Sequence, residues 1–285
     1  MQRHVHENMM RTFSSSFLLF FYQVALGGLF GLSATPFHEL ERAFYKSTGG
    51  VLFVIAVLGL WGKSPLYWQS ISTQISFETL AEILFHALFV IFFAAYIVSL
   101  WGENQEFRAR SFAACVLCGL TGLIFSAHGF YEASFWSFET FVYPVAFFLS
   151  ALLLGTVTVG MLIGHWYLID TGQTLDPFIR IYKFFTIVLI AQTIFLLMSP
   201  VALYFFGGSG SVLSLERLWM DHPMLLLTRV IVGQAGPLIL SWMIWRTLLI
   251  PHTMAATGLF YIALLGVFVG EILGRQILAL TYLPF

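Results

Sequence analysis

Residues 267–278 read VFVGEILGRQIL. They close an apolar run that begins near residue 254, and they place Glu271 and Arg275 four positions apart inside it. A helix brings residues i and i+4 onto one face, so the two charges can pair. An exposed pair of this kind is worth only about 0.2–0.5 kcal/mol. An ionisable side chain at mid-membrane costs about 2.5–3.5 kcal/mol on insertion scales. The pair therefore needs further partners, and Arg229, His86 and Glu82 are the candidates.

The rest of the chain has the same character. Hydrophobic residues make up 59% of it, aromatics 18% and charged residues 9%. A soluble domain carries about 25% charge. No polar stretch is long enough to fold alone, and a net charge of −1 gives nucleic acid nothing to bind. Two cysteines cannot build a disulfide scaffold. Nor can they hold an iron–sulfur cluster, which takes about four thiolates. No metal site is expected.

A bilayer-spanning helix needs about 20 apolar residues. Eight stretches qualify, at 13–34, 49–62, 79–101, 111–132, 140–169, 180–206, 225–250 and 254–282. The first is longer than the roughly 7–15-residue core of a cleaved signal peptide, so it reads as a retained helix. The second is interrupted by Gly62, Lys63 and Pro65, and is expected to be short, tilted or carried on to Trp68. Trp61, Trp68, Trp101, Trp136, Trp166, Trp219 and Trp245 fall near predicted ends, as an interfacial belt does. The fold class is all-α: a single integral membrane domain, 1–285, of about eight transmembrane helices in the lipid bilayer. In the connection 207–223, GGSGSVLSLERLWMDHP, a flexible start leads into a short surface helix at SLERLW.

Eight spans put both termini on one side. The odd connections carry Arg42, Lys46, Arg108, Arg110, Arg180, Lys183 and Arg246. Positive residues favour the cytoplasm, so both termini are expected outside. The sequence TPFHELERAFYK after helix one is echoed by DPFIRIYKFF after helix five. A four-helix unit used twice, as halves 13–132 and 140–282, gives such an echo, and so do two interfacial turns that converged.

The ionisable residues gather near one face. Helix three carries Glu82 and His86, helix four His128 and Glu132, helix seven Arg229 and Gln234, helix eight Glu271 and Arg275. By the topology all lie within about two turns of the side of the termini, at about 1.5 Å per residue. Buried ionisable groups in membranes are functional by default. The competing reading is that they snorkel or lock helices together. Gln23 and Gln192 read as interhelical hydrogen bonds, His165 as an end cap, and Cys115 and Cys118 as packing residues.

A quinol headgroup needs a hydrogen-bond partner and a route for its protons. Histidine titrates in the useful range. His86 and Glu82 supply the acid–base pair, His128 and Glu132 extend it, and Arg229, Gln234, Glu271 and Arg275 could orient it. A haem b held by His86 and His128 is the weaker cofactor reading, because each has a carboxylate one turn away. A small-solute transporter calls for broken helices around midplane charges. Pro144, Pro200 and Pro237 flank no such pair. A structural anchor without quinone chemistry is the other alternative.

The chain size, the eight helices and the final-helix GEILGR, 270–275, resemble the NrfD/DmsC type of membrane anchor. Such anchors serve dimethyl sulfoxide reductase, polysulfide reductase and related complexes. The resemblance implies a subunit in the bacterial cytoplasmic membrane, with a quinone site (menaquinone or ubiquinone) near the outer, periplasmic face. It implies a partner subunit carrying iron–sulfur or multihaem centres. It makes His86 with Glu82 the proton-accepting pair and matches Glu271 and Arg275 to the family's final-helix Glu/Arg. The GHWYL stretch and the first-half loops depart from that pattern.

Overall fold

The computed structural model describes residues 2–37, 39–73, 76–131, 137–170, 172, 174–250 and 252–285, and side chains from residue 13 onward. Among them the regular structure is helical: α1 Gln2–Ser33, α2 Arg42–Thr73, α3 Phe77–Ser99, α4 Gln105–His128, α5 Glu139–Ile169, α6 Asp176–Phe206, α7 Ser209–Asp221, α8 Pro223–Val230, α9 Gly236–Leu249 and α10 Thr253–Thr281. A π-helical turn, Ile231–Ala235, joins α8 to α9. Eight spans are long and apolar enough to cross a membrane, with α8, the π turn and α9 forming the seventh. This is an all-α polytopic membrane architecture.

Of the alternatives open for the second span, the structure takes the extension and goes beyond it, because α2 runs from Arg42 through Gly62, Lys63 and Pro65 to Thr73. Proline has no N–H to give the carbonyl four residues back. Here that carbonyl belongs to Trp61, and the Ser64 hydroxyl donates to it at 2.7 Å. The helix continues, and Lys63 ends inside the bundle, 3% exposed. The surface helix also takes in more than expected, since α7 begins at Ser209 within the Gly/Ser stretch.

Helices α1 and α5 form the centre. Gly27 and Gly155 let their backbones touch: a Cβ on Gly155 would lie 1.7 Å from the Gly27 carbonyl carbon. Small residues permit such close crossings in membranes, where packing rather than water drives association. Around this seam, α1 packs on α2, α2 on α3, α3 on α4, and α4 on α1. In the second half α5 packs on α6, α6 on α9, α9 on α10, and α10 on α5. Each half thus closes on its own first helix. Across the seam α1 meets α10, and α5 meets α4.

The outer surface is apolar, with Trp61, Trp68, Trp101 and Trp219 each exposed, while Trp166 packs edge-on against Phe44. Trp136 lies outside the described residues. Cys115 is buried and its thiol donates to the Phe89 carbonyl, which fits a packing role.

Candidate functional site

The polar residues form two clusters, one in each half, near the face where α1 starts and α10 ends. In the first half Lys63 and Tyr67 come from α2, Glu82 and His86 from α3, and Ser126 from α4. Spacing explains each pair: Lys63 with Tyr67 and Glu82 with His86 are four apart on their helices. The Lys63 ammonium donates to Glu82 Oε1 at 2.6 Å. The same oxygen accepts from the Ser126 hydroxyl at 2.7 Å and lies 3.2 Å from the Tyr67 hydroxyl. The Tyr67 hydroxyl is 2.7 Å from His86 Nδ1, and Ser126 Oγ is 3.1 Å from His86 Nε2. Glu82 and His86 therefore communicate through Tyr67 and Ser126.

His86 is held from above and below. Tyr22 of α1 stacks on its ring, with centroids 4.0 Å apart. On α4, Gly122 leaves room for it, because a Cβ there would lie 2.8 Å from His86 Cδ2 and 2.5 Å from the Tyr22 hydroxyl.

This cluster borders the smaller of two adjoining cavities. The smaller, of ≈ 390 Å³, is lined by Lys63, Tyr67, Glu82 and Ser126, with Ser15, Ser70 and Thr79 around them. His86 does not line it and is 2% exposed, so it sits one layer behind. The larger cavity, of ≈ 890 Å³, is aromatic: Tyr131, Phe138, Tyr143 and Phe206 line it, with Glu139 and the start of α7. Gly129, Phe130 and Tyr282 line both cavities, so the two adjoin. Glu139 itself anchors α7, accepting from the Gly208 N–H at 2.7 Å and the Ser211 hydroxyl at 2.8 Å.

The second cluster is enclosed. Glu271 receives Arg229 at 2.6 Å and Arg275 at 3.2 Å, and both Arg229 and Glu271 have side chains 1% exposed. Gln192 of α6 adds a donor to Glu271 Oε1 at 2.6 Å and reaches Ser150 of α5. Arg275 also lies over the Phe147 ring, 5.1 Å from its centroid. Beside it, Thr193 donates to Gln234 Oε1 at 2.7 Å. The Arg229 guanidinium fits only because Gly233 and Gly270 lack side chains; a Cβ on Gly233 would lie 2.5 Å from Arg229 Nη1. None of these charged side chains lines either cavity.

The sequence-based expectation of one converging cluster is thus corrected. Arg229 joins Glu271 and Arg275 as expected, but no hydrogen bond or ion pair among the described residues links them to His86 or Glu82. Helices α1 and α5 stand between the halves. His128, the last residue of α4, is half-buried beside Tyr131, with ring centroids 5.0 Å apart, and belongs to neither cluster. Glu132 lies outside the described residues. Gln192 makes the interhelical bond expected of it, and Gln23 likewise donates to the Phe147 carbonyl at 2.8 Å. His165 meets the Tyr261 hydroxyl at the far face.

Three members of the first cluster were missed. Lys63 carries a signal, a charge deep in the apolar run of α2, but Gly62 and Pro65 beside it look like a break. Tyr67 lies beyond residue 62, within the extension to Trp68 that the sequence left open, and carries no charge to mark it. Ser126 carries no charge and is one of many serines.

A bis-histidine haem needs a free ring nitrogen on each ligand. Both nitrogens of His86 are engaged, so these residues do not fit haem b as they stand. Comparison of the chain with protein-family models, curated proteins and solved structures finds no match.

Proposed function

We propose that this chain is the membrane subunit of a redox complex and binds a quinol or quinone, menaquinone or ubiquinone, in the paired cavities. The observation that carries this reading is the adjoining of a small polar cavity ending on Glu82, Tyr67 and Lys63 with a larger aromatic one. A quinone is built the same way, with a polar ring joined to a long apolar tail. It supplies two-electron chemistry coupled to protons. Glu82 offers an acceptor to a ring hydroxyl and Lys63 a donor to a ring carbonyl. Tyr67 and Ser126 connect the cavity to His86. The resemblance to NrfD/DmsC anchors supports the same reading, and in this reading the cavity face is the outer face of the cytoplasmic membrane. Electrons pass to or from a partner bearing iron–sulfur or haem centres.

Mild detergent extraction from the native membrane, with mass spectrometry of what co-purifies, tests this. A redox subunit in fixed ratio is the expected result, and His86→Ala then abolishes quinol-linked turnover while the complex assembles. A lone chain, or normal turnover in the variant, contradicts it.

A second reading holds for the second cluster alone. Arg229, Glu271, Arg275 and Gln192 join three helices, α8, α10 and α6, and border neither cavity, so they act as a lock between helices. A wholly structural anchor would need the first cluster to be closed as well, whereas it lines a cavity.

A further inference from the structure

Tyr67, His86, Ser126 and Glu82 form a closed ring of four contacts, at 2.7, 3.1, 2.7 and 3.2 Å in that order. With His86 neutral, the ring holds three protons: one each on tyrosine, imidazole and serine. One contact must therefore lack a proton. If His86 carried its proton on Nδ1, it would donate to Tyr67, Tyr67 would donate to Glu82, and Ser126 would donate to Nε2. The proton-free contact would then be the 2.7 Å approach of Ser126 Oγ to Glu82 Oε1. Two oxygens without a shared proton repel at that distance, whereas 2.7 Å is the usual O–H···O length. The opposite order leaves the 3.2 Å Tyr67–Glu82 contact unprotonated, which is the longest O···O approach in the ring. A third order, with Nδ1–H donating to Tyr67 and both hydroxyls donating to Glu82, leaves the buried Nε2 lone pair facing Ser126 Oγ at 3.1 Å with no donor, and a buried acceptor without a partner is costly. Distances and this pairing together point to one arrangement. Tyr67 donates to Nδ1, Nε2–H donates to Ser126, and Ser126 donates to Glu82.

We propose that His86 rests as the neutral Nε2–H tautomer fixed by Ser126, and that Tyr67 relays one proton to it from a hydroxyl bound in the cavity. The proton step rests on the quinol reading above; the tautomer does not. Tyr67 and Ser126 line the cavity and His86 does not; with Nε2–H already donating to Ser126, the free nitrogen Nδ1 is reached through the phenol. In the step, the ligand O–H breaks and a new Tyr67 O–H forms. The former Tyr67 proton passes to Nδ1, and the ligand's electrons leave to the redox partner. Tyr67 then donates to Glu82, filling the empty contact. All four contacts now carry a proton, and imidazolium faces the Glu82 carboxylate and the Tyr22 ring. Lys63, already paired with Glu82, opposes this charge and limits the ring to one proton. Ser126 is a positioning residue, because it borders the imidazole and sets which nitrogen is free to accept.

The test is ¹⁵N NMR of histidine-labelled protein in lipid nanodiscs, with His86→Asn assigning the resonance. The expected result is a neutral Nε2–H imidazole. Ser126→Ala shifts a measurable fraction to Nδ1–H, and Ser126→Thr restores the single form. A wild-type Nδ1–H tautomer, or an unchanged spectrum in Ser126→Ala, overturns the assignment; the wild-type spectrum decides even if the variant fails to fold. Ubiquinol-1 and menadiol serve as probes. A Tyr67→Phe complex that binds them but turns over about 100-fold more slowly supports the relay, and unchanged turnover overturns it. If neither probe perturbs the resonance while the tautomer is as stated, the quinol reading and its relay fail, and the ring assignment stands.

Discussion

Lys63 and Glu82, on adjacent helices and 19 positions apart in sequence, meet at 2.6 Å with side chains 4% and 17% exposed. Each is the other's counter-ion at the wall of the polar cavity. Removing one partner of a buried pair leaves an uncompensated charge, a loss of about 3–5 kcal/mol. Lys63→Met is expected to lower the thermal midpoint of the detergent-solubilised chain sharply. Lys63→Met with Glu82→Gln recovers most of that loss, because no charge is left alone. Additive losses in the two-variant cycle would show that the pair is not coupled.

Glu271 holds two arginines. Its conversion to glutamine keeps the shape and leaves Arg229 and Arg275 without a counter-ion, again at a cost of about 3–5 kcal/mol. Folded yield and melting temperature should fall together. Quinol binding per folded molecule should stay within about twofold, since sites without shared partners act independently. A selective loss of binding with full stability would move this cluster into the site.

The crossing of α1 and α5 depends on absent side chains. A Cβ on Gly27 would lie 1.6 Å from the Ala151 carbonyl oxygen. Gly155→Leu should therefore separate the halves, and size-exclusion profiles in detergent should show aggregated or degraded chain. At Gly50 a Cβ would meet nothing within 4 Å, so Gly50→Leu is the matched control and should elute normally.

Gly129 borders both cavities, and the nearest atom to a Cβ there is the Ser126 carbonyl oxygen at 3.5 Å. A larger residue fits without breaking the fold but intrudes on the junction. Gly129→Phe is predicted to weaken quinone-analogue binding at least about tenfold, or ~1.4 kcal/mol, with melting temperature unchanged. Equal affinity in the two proteins would place the ligand elsewhere.

The spans were legible because length and apolarity alone define them. The limits of α2 were not, since Gly62, Lys63 and Pro65 look like a terminus. Only the local bond from Ser64 to the Trp61 carbonyl shows why the helix continues. The i, i+4 pairs were legible too: Glu271 and Arg275 meet as their spacing implies. What a helix-by-helix reading could not supply was which helices are neighbours. Depth in the membrane grouped Glu82 and His86 with Arg229 and Glu271, yet α1 and α5 divide them. Depth likewise put His128 beside His86, whereas Ser126, one of α4's buried residues, faces the imidazole.

Photoaffinity labelling with an azidoquinone in native membranes tests the central claim most directly, with the cross-linked peptides mapped by mass spectrometry. The account predicts label on the segments bearing Lys63 to Ser70 and Ser126 to Tyr131, suppressed by excess unlabelled quinone. Label spread over lipid-facing helices without suppression, or confined to segments away from both cavities, would contradict it.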